Sequence, residues 1–280
     1  VVYLDGQFVA ESEAKLSIYD LSVMQGAAAF EMTRSFNGTH FKLAEHLQRL
    51  EDSCLALSIP FPWTLTELHD RCLQVADRND HGPGEEHRLL IVVSPGCAPM
   101  YRALGGVIDH PFVYIADFPL RYTVAGFGHY FTEGVHAVTS EIWQVPDWII
   151  PSKAKHRSRL HFHLAQQQAP PGTWPLLRGH GFEEGCVEAP GANIILVNKG
   201  RIAYLEYSCL LGISQRTVCE LRGDSAECWH SFSREDMEHA DELWLTGTPF
   251  CMIPVVSLDG TPIGTGTPGP VFTETLAQWS

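Results

Sequence analysis

The sequence predicts an α+β fold in two parts. Two dipeptides that favour primed turns, Asp5-Gly6 and Asn37-Gly38, lie between β-type runs, and apolar residues recur at helical spacing further on. Strands and helices then mix without the regular succession of a parallel β-α-β fold, and no internal repeat or low-complexity tract interrupts them.

Val2 to Leu4 and Gln7 to Val9 flank the first turn, and Ala29 to Phe36 and His40 to Leu43 flank the second, each pair reading as a hairpin. Leu43, Leu47, Leu50, Cys54 and Leu57 recur at steps of three and four, which lays one apolar stripe of a helix on a core; Leu65, Leu68, Cys72 and Val75 repeat the pattern more weakly. β-rich runs follow at His87 to Ser94 and Pro111 to Phe118. Pro119, Gly126 and Gly128 punctuate the chain there, so residues 1–120 and 121–280 are expected to form separate domains. Beyond the boundary, Gly134 to Ile142 alternates as a strand, and a helix from about Ala154 to Ala169 is stopped by Pro170-Pro171-Gly172. Strands are predicted at Asn193 to Val197, Arg201 to Tyr204 and Glu242 to Thr246. Ser214 is expected to cap a helix, Asp259-Gly260 to turn, and a last helix to start at Pro270.

The chain has 280 residues, of which 45% are hydrophobic and 19% charged, enough to bury a large core. Its 19 Lys and Arg against 33 Asp and Glu leave a net charge of −14, a field that repels nucleic acid and anionic lipid. No apolar run approaches membrane-spanning length and Val1 to Ala10 shows no charged leader, so a cytosolic protein with neither nucleic acid nor membrane as partner is expected. The eight cysteines form no C-x-x-C pair or zinc-like spacing and read as reduced thiols. His156, His161 and His163 have spacings of five and two that share no helical face, and no acid completes the set, so no metal is expected.

Against this acidity, Lys153-Ala154-Lys155-His156-Arg157-Ser158-Arg159 gathers four cations in seven residues. On a helix, Lys155 and Arg159 would repel on one face unless an anion lay between them, although a solvated basic face would account for the run as well. Leu211-Gly212-Ile213-Ser214 places a glycine and a hydroxyl at a helix start, where free N–H groups and the dipole favour a phosphate. Thr246-Gly247-Thr248 offers another hydroxyl at a strand end, and Glu188 is a single acid among small and apolar residues. An amine, a carboxylate and a metal-free phosphate pocket are what pyridoxal phosphate requires.

The order of these motifs resembles the class IV, or fold type IV, pyridoxal-phosphate aminotransferase family, which includes branched-chain and D-amino acid aminotransferases and 4-amino-4-deoxychorismate lyases. The likeness runs through Tyr3-Leu4-Asp5-Gly6-Gln7-Phe8-Val9, Phe30-Glu31-Met32-Thr33-Arg34-Ser35-Phe36-Asn37-Gly38, Glu45-His46-Leu47-Gln48-Arg49-Leu50 and Asp241-Glu242-Leu243-Trp244-Leu245-Thr246-Gly247-Thr248. It implies a small N-terminal α/β domain, a larger C-terminal mixed β-barrel-like domain with flanking helices, and a homodimer. It also implies that Lys155 is the Schiff-base lysine, with Lys153 its competitor, and that Glu188 meets the pyridine nitrogen. Arg49, the backbone of Ile213 and Ser214, and Thr248 would then hold the phosphate, with Leu211 against the ring.

Two positions depart from the family pattern. Pro95 stands where D-amino acid enzymes carry a carboxylate-binding arginine, and Leu160 where branched-chain enzymes carry a tyrosine, while Arg159 is similar to the lyase branch. Phe30, Tyr101, Arg121, Arg157 and Arg159 are the candidates to meet substrate. The expected activity is amino transfer from a small or medium amino acid to a 2-oxo acid, of branched-chain type. The alternatives are a lyase that releases pyruvate and a non-catalytic cofactor-binding protein.

Overall fold

The computed structural model describes residues 1–180 and 185–279. The chain forms two compact units, Val1–Thr123 with Ala154–Arg159, and Val124–Lys153 with Leu160–Ser280. A single cut between 120 and 121 leaves no place for the returning segment of the first unit.

In the first unit an antiparallel sheet runs in the order Gln7–Val9, Val2–Leu4, Phe112–Pro119, His87–Ser94, Ala29–Met32. Side chains alternate across it. Ala29, Leu89, Ile91, Val93, Val113 and Ile115 are buried with Leu47, Leu50, Leu68 and Cys72 of the two predicted helices, Leu43–Ala56 and Leu65–Asp77. A Thr64/Glu67 capping box starts the second helix. The intervening residues Phe30, Met32, Leu90, Val92 and Tyr114 form a separate apolar layer on the other face. The second predicted hairpin shrinks to Ser35–Phe36 against Thr39–His40, because Ala29–Met32 pairs instead with the longer central strand.

In the second unit six strands close a ring: Val135–Trp143, Thr173–Arg178, Cys186–Ala189, Ala192–Asn198, Glu242–Gly247 and Cys251–Leu258. Closure removes the exposed edges an open sheet would leave. Ala137, Leu176, Val187, Leu196, Leu245 and Ile253 belong to one core. Ile195, Val197, Trp244 and Met252, at alternate positions, pack with Val218 and Phe272 of the helices Ile213–Arg222 and Pro270–Trp279. This is the barrel-like architecture with flanking helices that the family resemblance implies.

Two helix expectations need correction. The helix predicted from Ala154 is Leu160–Gln168, because residues 155–157 are drawn into extended pairing. Gly212, not Ser214, caps the Ile213–Arg222 helix; Ser214 is its second residue.

Among the described residues no helix is long and apolar enough to cross a membrane. The last helix is fastened by Glu242, whose buried carboxylate accepts the N–H groups of Val271 and Phe272 at 2.8 and 2.9 Å and the Trp244 indole N–H at 3.0 Å. A Cβ on Gly269 would strike that carboxylate. Glu242→Ala is therefore expected to lower unfolding free energy by about 2–3 kcal/mol, the scale of hydrogen bonds to a charged group. Urea unfolding checks this, and an unchanged midpoint would contradict it.

Candidate active site

Ala29–Met32 is an edge strand of the first unit's sheet, and the chain returns to dock on it. Phe30 N–H donates to the Lys155 carbonyl at 2.9 Å and Arg157 N–H to the Ala28 carbonyl at 3.0 Å, which sets His156 opposite Ala29. Lys155 N–H donates to Ser53 Oγ at 3.0 Å, and that hydroxyl donates to the Arg49 carbonyl at 2.6 Å. Ser53, which sequence reasoning passed over, thereby ties the lysine segment to the Leu43–Ala56 helix.

In an extended segment residues two apart share a face. Lys155 Nζ accordingly lies 4.9 Å from the Phe30 ring centroid, with the Arg157 and Arg159 guanidinium carbons at 4.1 and 5.6 Å. Extended pairing, rather than helical spacing, gathers the cations. Three like charges around one ring repel each other, so the cluster favours an anion. Lys153 is exposed and belongs to the other unit.

Arg88 shares the sheet face of Phe30, Leu90 and Val92 and is buried. Its Nε and Nη1 have no hydrogen-bond partner among the described residues, while Nη2 lies 3.5 Å from Met32 Sδ. Burial, aided by Arg34, lowers its pKa to about 10, still charged at neutral pH. Nothing in sequence spacing marks it; an arginine at an alternate position of a strand reads as solvent-facing.

The opposite face holds Glu31, fully buried. Arg49 grips it with Nε at 2.6 Å and Nη2 at 3.0 Å, and His46 Nδ1 lies 2.7 Å away. Burial alone would raise the Glu31 carboxyl, but Arg49 and His46 overcome it and hold it well below the usual carboxylate range. Burial pushes His46 down despite Glu31, so the neutral ring donates its Nδ1–H. The other candidates are engaged elsewhere: Tyr101 packs on Tyr19 at 4.7 Å, and exposed Arg121 pairs with Glu85.

In the second unit, Glu188 is opposite Asn193, and Asn193 opposite Thr246, so three polar residues stand in one row across neighbouring strands. Glu188 is 5% exposed; it accepts from the Gln144 amide and, at 3.4 Å, from Leu210 N–H. Asn193 Nδ2 donates to the Leu210 carbonyl at 2.7 Å. Gly212 is required by space, not by φ: its φ is −70°, but a Cβ would collide with Asn193 Oδ1.

With no side chain capping the helix that begins at Ile213, the turn keeps its first N–H groups for a ligand. Ile213 and Ser214 are buried at this start, and Leu211 and Gly212 line a cavity with Tyr204 and Gln215. Thr246 is buried with its hydroxyl unpartnered among the described residues, and Thr248 follows just past the strand end. Asn193 and Gln144 are further residues the sequence did not single out.

A row holding a buried acid and, among the described residues, an unpartnered hydroxyl, tied through Leu210 to an uncapped helix start, fits the ring nitrogen and phosphate of pyridoxal phosphate. Residues 28–258 match the family described as amino-transferase class IV. The chain belongs to that family. It is an aminotransferase, and its cofactor is pyridoxal phosphate.

The chain is similar to the branched-chain-amino-acid aminotransferase of Escherichia coli (strain K12), 27% identical over 96% of this chain and 88% of that protein. It is also similar to the D-alanine aminotransferase of Bacillus licheniformis, 26% identical over 96% and 92%. Among solved structures, it is similar to the branched-chain aminotransferase of the thermophilic archaeon Thermoproteus uzoniensis with norvaline. That likeness has a TM-score of 0.82 and 27% identity, covering 99% of this chain and 92% of that one.

The eight cysteines are unbridged, and burial pushes the thiols of Cys54, Cys72, Cys186 and Cys219 up to about 12, out of nucleophilic range at neutral pH.

The Glu31 pair predicts a pH dependence. Because the folded carboxyl titrates below its ordinary 4.5, the unfolded chain takes up that proton first. The associated stability is present above pH 4.5 and is lost as pH falls further. Glu31→Gln is expected to flatten this acid slope and, by removing the buried ion pair with Arg49, to cost about 3–5 kcal/mol near neutrality. Urea unfolding across the acid range measures both effects; an unaltered slope would refute the assignment.

Proposed function

We propose that this aminotransferase moves the amino group of a small or medium apolar amino acid to a 2-oxo acid, in the manner of branched-chain enzymes. The observation that carries the reading is Lys155 held over Phe30 on an apolar sheet face bordered by Arg157, Arg159 and Arg88. Phe30, Met32, Leu90 and Val92 would receive an aliphatic side chain, and a bordering guanidinium the carboxylate.

Lys155 Nζ is the covalent anchor for the cofactor and, once freed, the base that takes the substrate Cα proton and returns it during transfer. Its segment's backbone pairing fixes where that side chain starts. Glu188, kept as an acceptor by Gln144 and Leu210 N–H, is assigned to the protonated ring nitrogen. The N–H groups of Ile213 and Ser214, the Thr248 hydroxyl and Arg49 are assigned to the phosphate, with Leu211 against the ring. Pyridoxal phosphate, when bound, supplies the electron-accepting ring that spreads the charge developed at Cα. The family resemblance supports a homodimer, and the acidic composition is in keeping with a cytosolic protein.

A second reading, a lyase that releases pyruvate, is favoured by Arg159 beside Phe30. A panel of L- and D-amino acids assayed against pyruvate and 2-oxoglutarate separates the two. Acceptor-dependent turnover of aliphatic donors is expected; pyruvate release without any acceptor would overturn amino transfer in favour of the lyase. Lys155→Ala is expected to lose the bound cofactor's visible absorbance and nearly all turnover, and a fully active variant would sink the assignment.

A further inference from the structure

We propose that His81, His87 and Asp117 bind a divalent first-row transition metal of the zinc type. His87 opens its strand, and Asp117 lies on the neighbouring strand opposite Leu89, one diagonal step away. Both occupy alternate positions shared with Leu89 and Ile115, so they lie on the helix-packed face, opposite the layer of Phe30 and Val92. His81 comes from the connection between the Leu65–Asp77 helix and that strand. One ligand atom from each residue lies within 4.8 Å of the others.

The arrangement as it stands is half satisfied. His81 Nε2 and His87 Nδ1 approach the same oxygen, Asp117 Oδ2, at 3.0 and 2.7 Å. Asp117 Oδ1, buried, has no hydrogen-bond partner among the described residues. Two rings crowd one carboxylate oxygen, their centroids 4.9 Å apart, while the other oxygen goes unused. Such an incomplete buried network is costly. A cation accepting a lone pair from each imidazole and from the carboxylate would resolve it without redox change: each ligating nitrogen passes its proton to the other ring nitrogen, and Asp117 stays ionised.

Two imidazoles and one carboxylate suit zinc and its first-row neighbours, whereas magnesium and calcium prefer all-oxygen sets. Water would complete the coordination, and the His40 ring lies nearby, 6.0 Å from that of His87. The metal would clip residues 78–86 to the sheet. Glu86 of that connection already holds the Ser35 hydroxyl and the N–H groups of Asn37 and Gly38, so one ion would brace connection and hairpin together.

The test is calorimetric titration of EDTA-treated holoenzyme with Zn²⁺, with Mg²⁺ as control, alongside His81→Gln and Asp117→Asn. Wild type should bind a single equivalent of Zn²⁺ beyond what either variant binds. Removing a direct ligand should weaken that site by more than about a hundredfold, the upper range for losing even an outer partner. Zn²⁺ should raise the melting temperature of wild type and not of His81→Gln, and leave the cofactor's visible absorbance unchanged. Equal Zn²⁺ stoichiometry in wild type and His81→Gln, or saturation by Mg²⁺ as readily as by Zn²⁺, overturns the proposal. Should Asp117→Asn fail to fold, His81→Gln decides alone, because its residue lies in a connection outside the sheet.

Discussion

Two main-chain hydrogen bonds, from Phe30 N–H to the Lys155 carbonyl and from Arg157 N–H to the Ala28 carbonyl, decide what the basic run of this chain can do. They add a short extended segment to the edge of a sheet. Left as a helix, the same residues would turn Lys155 and Arg157 to opposite sides; paired along an edge, the two come to one side and meet the same ring. Ala28 and Ala29, fully buried, let the returning backbone approach. The Ser53 hydroxyl fixes the segment a second time, accepting from Lys155 N–H while donating to the Arg49 carbonyl. The backbone from which the Lys155 side chain extends is thereby held by two separate elements.

The two faces of that sheet carry their charge in opposite ways. On the helix side, Glu31 and Arg49 neutralise each other with two hydrogen bonds, and a neutral His46 completes the carboxylate. Such a pair adds little net stability over an apolar replacement, yet losing one partner strands the other. On the other side, Arg88 is buried with nitrogens unmatched among the described residues, and three more cations surround Phe30. One face balances its cation with a buried carboxylate, and the other gathers cations around an aromatic ring. Alternation along Ala29–Met32 produces this contrast, since Glu31 and Phe30 are neighbours in sequence and must point apart.

What can be read from the sequence is what local pattern controls. Apolar steps of three and four place the helices Leu43–Ala56 and Leu65–Asp77, and the Asp5-Gly6 turn places its hairpin. Lys155, Glu188 and the 211–214 turn can be proposed from the sequence because their chemistry is unusual in their surroundings. Pairing between distant segments is not legible. Nothing around residue 155 signals that its backbone belongs beside residue 30, so the local pattern predicts a helix where a short extended segment bridges to a sheet edge. Asn193 and Thr246 have no motif; they matter because register sets them beside Glu188. His81, His87 and Asp117 are far apart along the chain and become a cluster only when a connection folds back on two strands.

Gly212 shows how far a turn of this kind depends on what it lacks. Its backbone is one that any residue adopts, so conformational freedom does not explain it. The space a Cβ would need is filled by the Asn193 side chain, which is held there by the Leu210 carbonyl. Leu210 in turn offers its N–H to Glu188. A side chain at 212 would therefore displace Asn193, loosen Leu210 and disturb the acid, although none of these residues is its neighbour in a helix or strand. The carboxylate and the uncapped helix start are in this way parts of one packed unit. A phosphate held by main-chain N–H groups at that helix start would be fixed relative to the acid by the fold itself, without a long flexible side chain to set the distance.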